Sequence, residues 1–457
     1  MALCRAPAFS LGVAKRGEQA NTGGFSLTLP LVFSISSPTL IPKQPGKNTL
    51  PKTDTSSQPA RLYDRNFALA ILSQTCFVIA NTLMAHYSRW IDFLGGDLAQ
   101  IGWVMGVGAT LGLVLRPWMA QWMNRLGARA MWGIGYGVFA AASLSNLLLH
   151  DLTIGIYLVR SAIVLGAAIV FASGITYISQ IAPDNRRSEA IGILGVGGFL
   201  GMMLGPFLGD LFLGSEAERS RDDFVLFFVV AAALNILPVI ILLFIRAPAR
   251  STAHVTIRLS EFVGTVRRYW PGSILLVDMA FGVCMTGPFV FVASFIDSEP
   301  LVVPGVSVLG LFFWFYAGPA IAIRIAGRRL PEIVGDQRLL TIGGLFMSSG
   351  MFAFAMVGSG NAWTIVVAAL LGGIGHALMF HTMTSLTIAI FPSEVRGTGS
   401  ALALMALDIG TIAGAPILGQ VGDRFGFKAL FATIGVVCLI ATLAHSKHQA
   451  RDPDKAT

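Results

Sequence analysis

Charge is scarce in this chain. Lys, Arg, Asp and Glu make up 12% of its 457 residues, against roughly a quarter in soluble domains. Polar groups cannot cover such a surface, so lipid must be its solvent. Cysteine is scarcer still. Cys4, Cys76, Cys284 and Cys438 have no paired spacing, and three of them sit in apolar runs. That marks them as small buried hydrophobes rather than a disulfide framework. No phosphate-cradling loop of the form Gly-x-x-x-x-Gly-Lys-Ser/Thr occurs, which argues against motive force from the chain's own ATP hydrolysis. A nucleophile elbow and a zinc-spaced His/Cys cluster are also lacking. The sequence therefore offers no enzyme site, and neither cofactor nor metal is expected. The net charge of +8 comes without a basic patch interleaved with aromatics, so nucleic acid is not an expected partner.

What is abundant is apolar surface and glycine: 54% of residues are hydrophobic and 51 are Gly. Small residues let membrane helices approach closely. Residues 1–62 stand apart, rich in Ser, Thr, Pro, Gly and Lys. A patch from Phe25 to Pro42 is broken by Pro30 and Pro38 and is short for a spanning helix. The tail reads as a disordered cytoplasmic segment or an over-long translation start, with a signal peptide as the alternative.

From Asn66 onward, apolar runs of about twenty residues recur, enough to cross a bilayer as helices. They are predicted near 66–89, 99–121, 130–149, 153–179, 189–212 and 223–246, and again near 272–296, 303–325, 338–357, 362–389, 398–420 and 427–445. The expected fold is an all-α integral membrane protein with twelve transmembrane helices in two six-helix bundles, 63–246 and 272–446. A cytoplasmic linker, 247–271, joins them, and a cytoplasmic tail, 447–457, follows. With a cytoplasmic N-terminus, the inner loops hold Arg125, Arg129, Arg186, Arg187, Arg250, Arg258, Arg267, Arg268, Arg328, Arg329, Arg338 and Arg396. The outer loops hold Arg89, Arg219, Arg221, Arg424 and Lys428. The excess inside sets both termini in the cytoplasm. Within the linker, Ile257 to Trp270 has helical apolar spacing and either lies along the interface or forms a solvated linker.

The two halves echo each other. Arg116, Asn124 and Gly127 after helix two correspond to Arg324, Glu332 and Gly335 after helix eight, each at an offset of 208. Gly205-Pro206-Phe-Leu-Gly209 in helix five matches Ala415-Pro416-Ile-Leu-Gly419 in helix eleven at an offset of 210. Two such halves form a transporter architecture with the substrate site between them near mid-membrane.

The loop Arg116-Pro117 to Arg129 resembles the signature of the major facilitator superfamily, Gly-x-Leu-x-Asp-Arg-x-Gly-Arg-Arg preceded by Arg-Pro. The chain keeps Arg116, Pro117, Arg125, Gly127 and Arg129, while Ala120 and Asn124 replace the first Gly and the Asp. In the family that acid engages helix eleven and locks the outward-facing state. Gly201-x-x-x-Gly205-Pro206-x-x-Gly209 is similar to a helix-five motif of the family's exporters, with Asp210 in place of the final Gly. Generic small-residue packing is the other reading of that ladder. The resemblance covers 64–446 and points to the drug/sugar-efflux-like branch, with helices one, four, seven and ten lining the cavity. Gly419 to Gly426 also looks like the loop signature, but parity places it outside.

Ionisable groups at membrane depth are functional candidates. Arg160 in helix four either anchors an anion, pairs with an acid, or snorkels. Asp278 in helix seven and Asp408 in helix eleven either carry a proton or partner an Arg. His376 and His381 in helix ten are five residues apart, about 140° around the helix, and do not share a face for a metal. Gln74 and Asn81 in helix one share a stripe and can bond substrate or a neighbouring helix. The expected function is alternating-access transport of a small organic solute by a monomer in the cell membrane. Proton-coupled export leads, with gating by the Arg116 and Arg324 loops. The alternatives are import of a small organic anion bound by Arg160, and a non-transporting membrane sensor of the same fold.

Overall fold

The computed structural model of the protein describes residues 62–451, apart from 184–185, 215–218, 248–258, 300, 328 and 393–394. The expected tail 1–62 lies, but for Leu62, outside the described residues, as do Arg187's side chain and that of Asn124. Among the described residues the chain is helical, with a single β-bridge between Val303 and Val306.

Backbone amides in lipid must bond within their own segment, and the apolar runs do so as long helices. These are α1 (Arg65–Phe93), α2 (Leu98–Leu126), α3 (Ala128–Leu148), α4 (Ile154–Ile181), α5 (Glu189–Leu213) and α6 (Arg221–Phe244). The second set is α7 (Ile274–Ser298), α8 (Val308–Ala326), α9 (Asp336–Met356) and α10 (Gly360–Ala389), followed by a helical stretch over Arg396–Arg451. That last stretch of 56 residues is broken at Gly426, with φ 80° and ψ 169°. We name its two parts α11 (396–425) and α12 (427–451). Each is long enough to cross a bilayer.

Caps set the starts. Asp64 accepts from the Phe67 amide at 2.8 Å to begin α1, and Asp97 and Gln100 cap α2 reciprocally. Ser307 accepts from the Gly310 amide at 2.8 Å to begin α8. Gly127, with φ of 88°, turns α2 into α3, and Gly335, with φ of 85°, turns the short helix Leu330–Val334 that follows α8 into α9. A positive φ is where glycine is needed. These two positions are the repeat partners 208 apart. The start of α8 differs from the 303 expected from sequence. Pro304 and Gly305 (φ 71°) make a turn closed by a 3.1 Å bond from the Val306 amide to the Val303 carbonyl. Pro at the second and Gly at the third position of a turn override the apolar run around them.

α1–α6 and α7–α12 pack as two halves that meet along α2 with α11 and α5 with α8. Glycine makes both seams close. A Cβ on Gly106 of α2 would come within 2.7 Å of Pro416 in α11, and one on Gly310 of α8 within 3.2 Å of the Phe207 backbone in α5. We call the end of the bundle carrying the connection between the halves the linker face, and the other end the far face.

Candidate functional site

At the far face, charged side chains from both halves interlock. Arg89, near the end of α1, donates through Nε and Nη2 to both oxygens of Asp297 in α7, each at 2.9 Å, and through Nη1 to Asp210 of α5 at 2.5 Å. Arg219 donates to the same Asp297 carboxylate at 2.9 and 3.3 Å. The second Asp210 oxygen accepts from Ser307 at 2.5 Å and from the Leu309 amide at 3.2 Å, both at the start of α8. Arg89 is 3% and Asp297 11% exposed. Two arginines facing two carboxylates leave this buried cluster without net charge. Fork-shaped guanidiniums bonded to both carboxylate oxygens are the strong geometry for such pairs.

His86 is part of the same cluster. Its Nδ1 lies 2.7 Å from Arg89 Nη1, and its Nε2 lies 2.9 Å from the Pro206 carbonyl. Since a guanidinium only donates, Nδ1 accepts and Nε2–H donates. The helix-five ladder explains how the ring fits. Cβ atoms on Gly201, Gly205 and Gly209 would run into Val78, Thr82 and His86 of α1. Thr82 also donates to the Gly201 carbonyl at 3.0 Å. The glycines thus seat α1 against α5 within one half.

In the middle, Arg160 of α4 stacks over the Tyr87 ring at 4.8 Å, and its stem lies against Gly108 of α2. Its Nε and Nη1 are shut from solvent and have no hydrogen-bond partner. His376 of α10 is enclosed by rings: Phe199 of α5, Phe281 of α7, Tyr316 of α8 and Phe380 at 5.2 to 5.9 Å. The Tyr316 hydroxyl and His376 Nδ1 are 2.9 Å apart. His381 is exposed, on a different side of α10 from His376. Gln74 is buried, its Oε1 against Gly174 and without a partner, and Asn81 is half-buried.

Toward the linker face three groups stand out. Arg116 of α2 donates to Asp408 of α11, a pair that joins the two halves. Asp278 of α7 is fully buried; one oxygen accepts from Thr387 at 2.8 Å and the other has no partner. Arg324 of α8 reaches α5, stacking on Phe199 at 4.9 Å with Nη1 against Gly195. Its Nε has no partner. Arg125 and Glu332 are exposed and Arg129 is half-buried. Among the described residues no cluster of His, Cys, Asp or Glu is suited to hold a metal.

The far-face cluster escaped sequence reasoning, which counted Arg89 and Arg219 as loop charges. A signal was available: Arg89 and Asp297 are 208 residues apart, the offset that relates Arg116 to Arg324.

Two six-helix halves, seamed by α2–α11 and α5–α8 and pinned at one end by ion pairs between them, define a polytopic membrane transporter fold. The profile of the Major Facilitator Superfamily matches residues 66–360 and 306–455, and the chain belongs to that superfamily. A hexuronate transporter of Escherichia coli (strain K12) is 21% identical over 401 residues, 80% of this chain and 89% of that one. Multidrug resistance protein MdtG of Dickeya zeae (strain Ech586) is 26% identical over 301 residues, 62% of this chain and 68% of that one. Among solved structures, a bacterial homologue of the human lysosomal transporter Spinster, in an inward-facing and occupied conformation, matches with a TM-score of 0.65 at 19% identity. The match covers 86% of this chain and 98% of the homologue. A D-xylose–proton symporter matches with a TM-score of 0.66 at 14% identity, over 82% and 95%. These likenesses show the fold; the family makes the chain a multi-pass membrane transporter of a small molecule.

Proposed function

We propose that the protein moves a small organic solute by alternating access with protons as the coupling ion, working as a monomer in the cell membrane with the linker face cytoplasmic. The observation that carries proton coupling is Asp278. Asp210, Asp297 and Asp408 each face an arginine; among the described residues Asp278 has Thr387 alone as a partner. An ionised carboxylate without a cation in such surroundings carries a large desolvation cost, which a proton removes. Asp278 is therefore the proton site, and Asp408, with Arg116, is a gate element that parts and re-forms as the halves rock. The orientation follows from the arginine excess at that face. The helix-five glycines, which suggested export, are used in seating α1 against α5, so the proposal is of coupled transport in either direction.

The test is internal pH in proteoliposomes under an imposed proton gradient, across a panel of solutes. Solute-dependent proton movement is expected, and Asp278→Asn should abolish it while solute exchange at equilibrium persists. Unchanged proton movement in Asp278→Asn would remove Asp278 from the coupling step.

A further inference from the structure

The internal repeat is broken at Asp408, and the break leaves a cation without its mate. Arg116 in α2 and Arg324 in α8 are repeat partners, each facing a helix of the opposite half. Arg116 finds Asp408 in α11. At the repeat offset of 210 between α5 and α11, the residue corresponding to Asp408 is Gly198. Gly198 lies one turn from Gly195, which Arg324 touches. Where one half supplies a carboxylate, the other supplies a hydrogen atom. Among the described residues Arg324 has no hydrogen bond or ion pair; it stacks on the face of Phe199 at 4.9 Å.

Snorkelling does not account for this side chain. Its guanidinium reaches across the seam to α5 rather than along α8 to the headgroups. Its neighbours on the far side form an apolar wall. Phe199 touches both Arg324 and His376, and Phe281, Tyr316 and Phe380 close around that histidine. Space is open as well: a Cβ on Gly198 would meet nothing within 4 Å.

Resting on the transporter reading above, we propose that the solute is an organic anion, and that Arg324 binds its carboxylate or phosphate in the place the repeat reserves for an aspartate. Phe199 and the rings packed about His376 wall the site on one side. A guanidinium is suited to this because its fork presents parallel N–H groups to two oxygens of one anion. The seam between α5 and α8 is one that rocking must open and close. An anion bridging Arg324 to α5 would then join the halves as Asp408 joins them on the other side.

The experiment reads Arg324 itself. Purified protein is treated with phenylglyoxal, an uncharged arginine reagent, and modification of each arginine is followed by peptide mass spectrometry. Benzoate, glucuronate and glucose 6-phosphate are compared with benzamide and glucose. At least one anion should slow modification of Arg324 by about tenfold at a concentration ten times its dissociation constant, as occupancy dictates, and the neutral analogues should not. Gly198→Asp, which has room for its side chain, supplies the missing carboxylate and should abolish the protection. Gly198→Asn, of equal size and no charge, should keep it. Equal protection by neutral solutes, no protection by any of the anions, or protection intact in a folded Gly198→Asp would overturn the proposal. Failure here is separable from failure of coupled transport. Proton-coupled flux of glucose with no anion protection sinks only the anion site, whereas anion protection without any flux sinks only the transporter reading.

Discussion

Asp297→Asn is the sharpest test of the far-face cluster. In the structure, Asp297 accepts from both Arg89 and Arg219 at 2.9 to 3.3 Å. Removing its charge leaves two guanidiniums with one carboxylate, Asp210, which faces Arg89, so one positive charge is in excess at a site where Arg89 is 3% exposed. Breaking a buried ion pair by removing one partner costs roughly 3–5 kcal/mol, because the charge left behind is desolvated. That penalty applies only while the halves are closed at the far face, since separating them lets water reach the arginines. The closed state should lose at least about 3 kcal/mol relative to the open one, a population shift of about a hundredfold. Spin labels on Leu148→Cys and Val302→Cys, both well exposed at the far face and in opposite halves, report the separation by pulsed dipolar spectroscopy. A longer distance should appear or gain population in Asp297→Asn, and Asp297→Glu should restore the shorter one. An unchanged distance distribution in folded Asp297→Asn would show that the pairs do not hold the far face shut.

Three further outcomes follow from the geometry. Gly209→Ala drives a Cβ into the His86 ring, and overpacking of this kind costs about 1–3 kcal/mol; thermal unfolding should show the loss, while Gly198→Ala, with open space around it, should show almost none. Arg116→Asp and Asp408→Arg should each impair solute flux singly, and the double exchange should recover part of it, because the pair couples directly across the halves; a double variant no better than its parents would deny the pairing a role. Tyr63, at the linker face, donates to Glu189 at 2.5 Å, and that hydrogen bond and charge hold its phenol above the ordinary range. Glu189→Gln should bring its titration, followed by tyrosinate absorbance, back down. Since the folded value is the raised one, the contact is present below the ordinary tyrosine range and lost as pH rises through the phenol's own.

The helices were legible because apolar runs of bilayer length admit no other backbone form. The repeat was legible because its markers, Gly127 and Gly335 among them, are needed for backbone reasons that recur in both halves. The start of α8 was misplaced because Val302 and Val303 continue an apolar run that the Pro304–Gly305 turn interrupts. The partners of Arg89 were not legible as a pattern of hydrophobicity. An arginine at a helix end reads as a headgroup contact until the opposite half brings Asp297 to it. For Asp408 the sequence left two roles open, and only the approach of α2 to α11 puts Arg116 beside it. The glycine ladder of α5 was visible, but its neighbour was not, since small faces fit any helix.

Gly426 joins α11 to α12 through one residue, with a backbone geometry that a side chain would strain. The far end of α11 is therefore tied to α12, which is itself anchored to α9 by Thr442 against Gly344 and by the Cys438 thiol, 3.7 Å from the Gly344 carbonyl. This makes the junction a pivot and α11 a lever arm. Asp408 lies eighteen residues from the pivot, about 27 Å at helical rise. A swing of only about 10° would carry its carboxylate roughly 5 Å, more than a hydrogen bond can span. A one-residue connection thus magnifies a small rotation into the making or breaking of a contact deep in the bundle, toward the linker face.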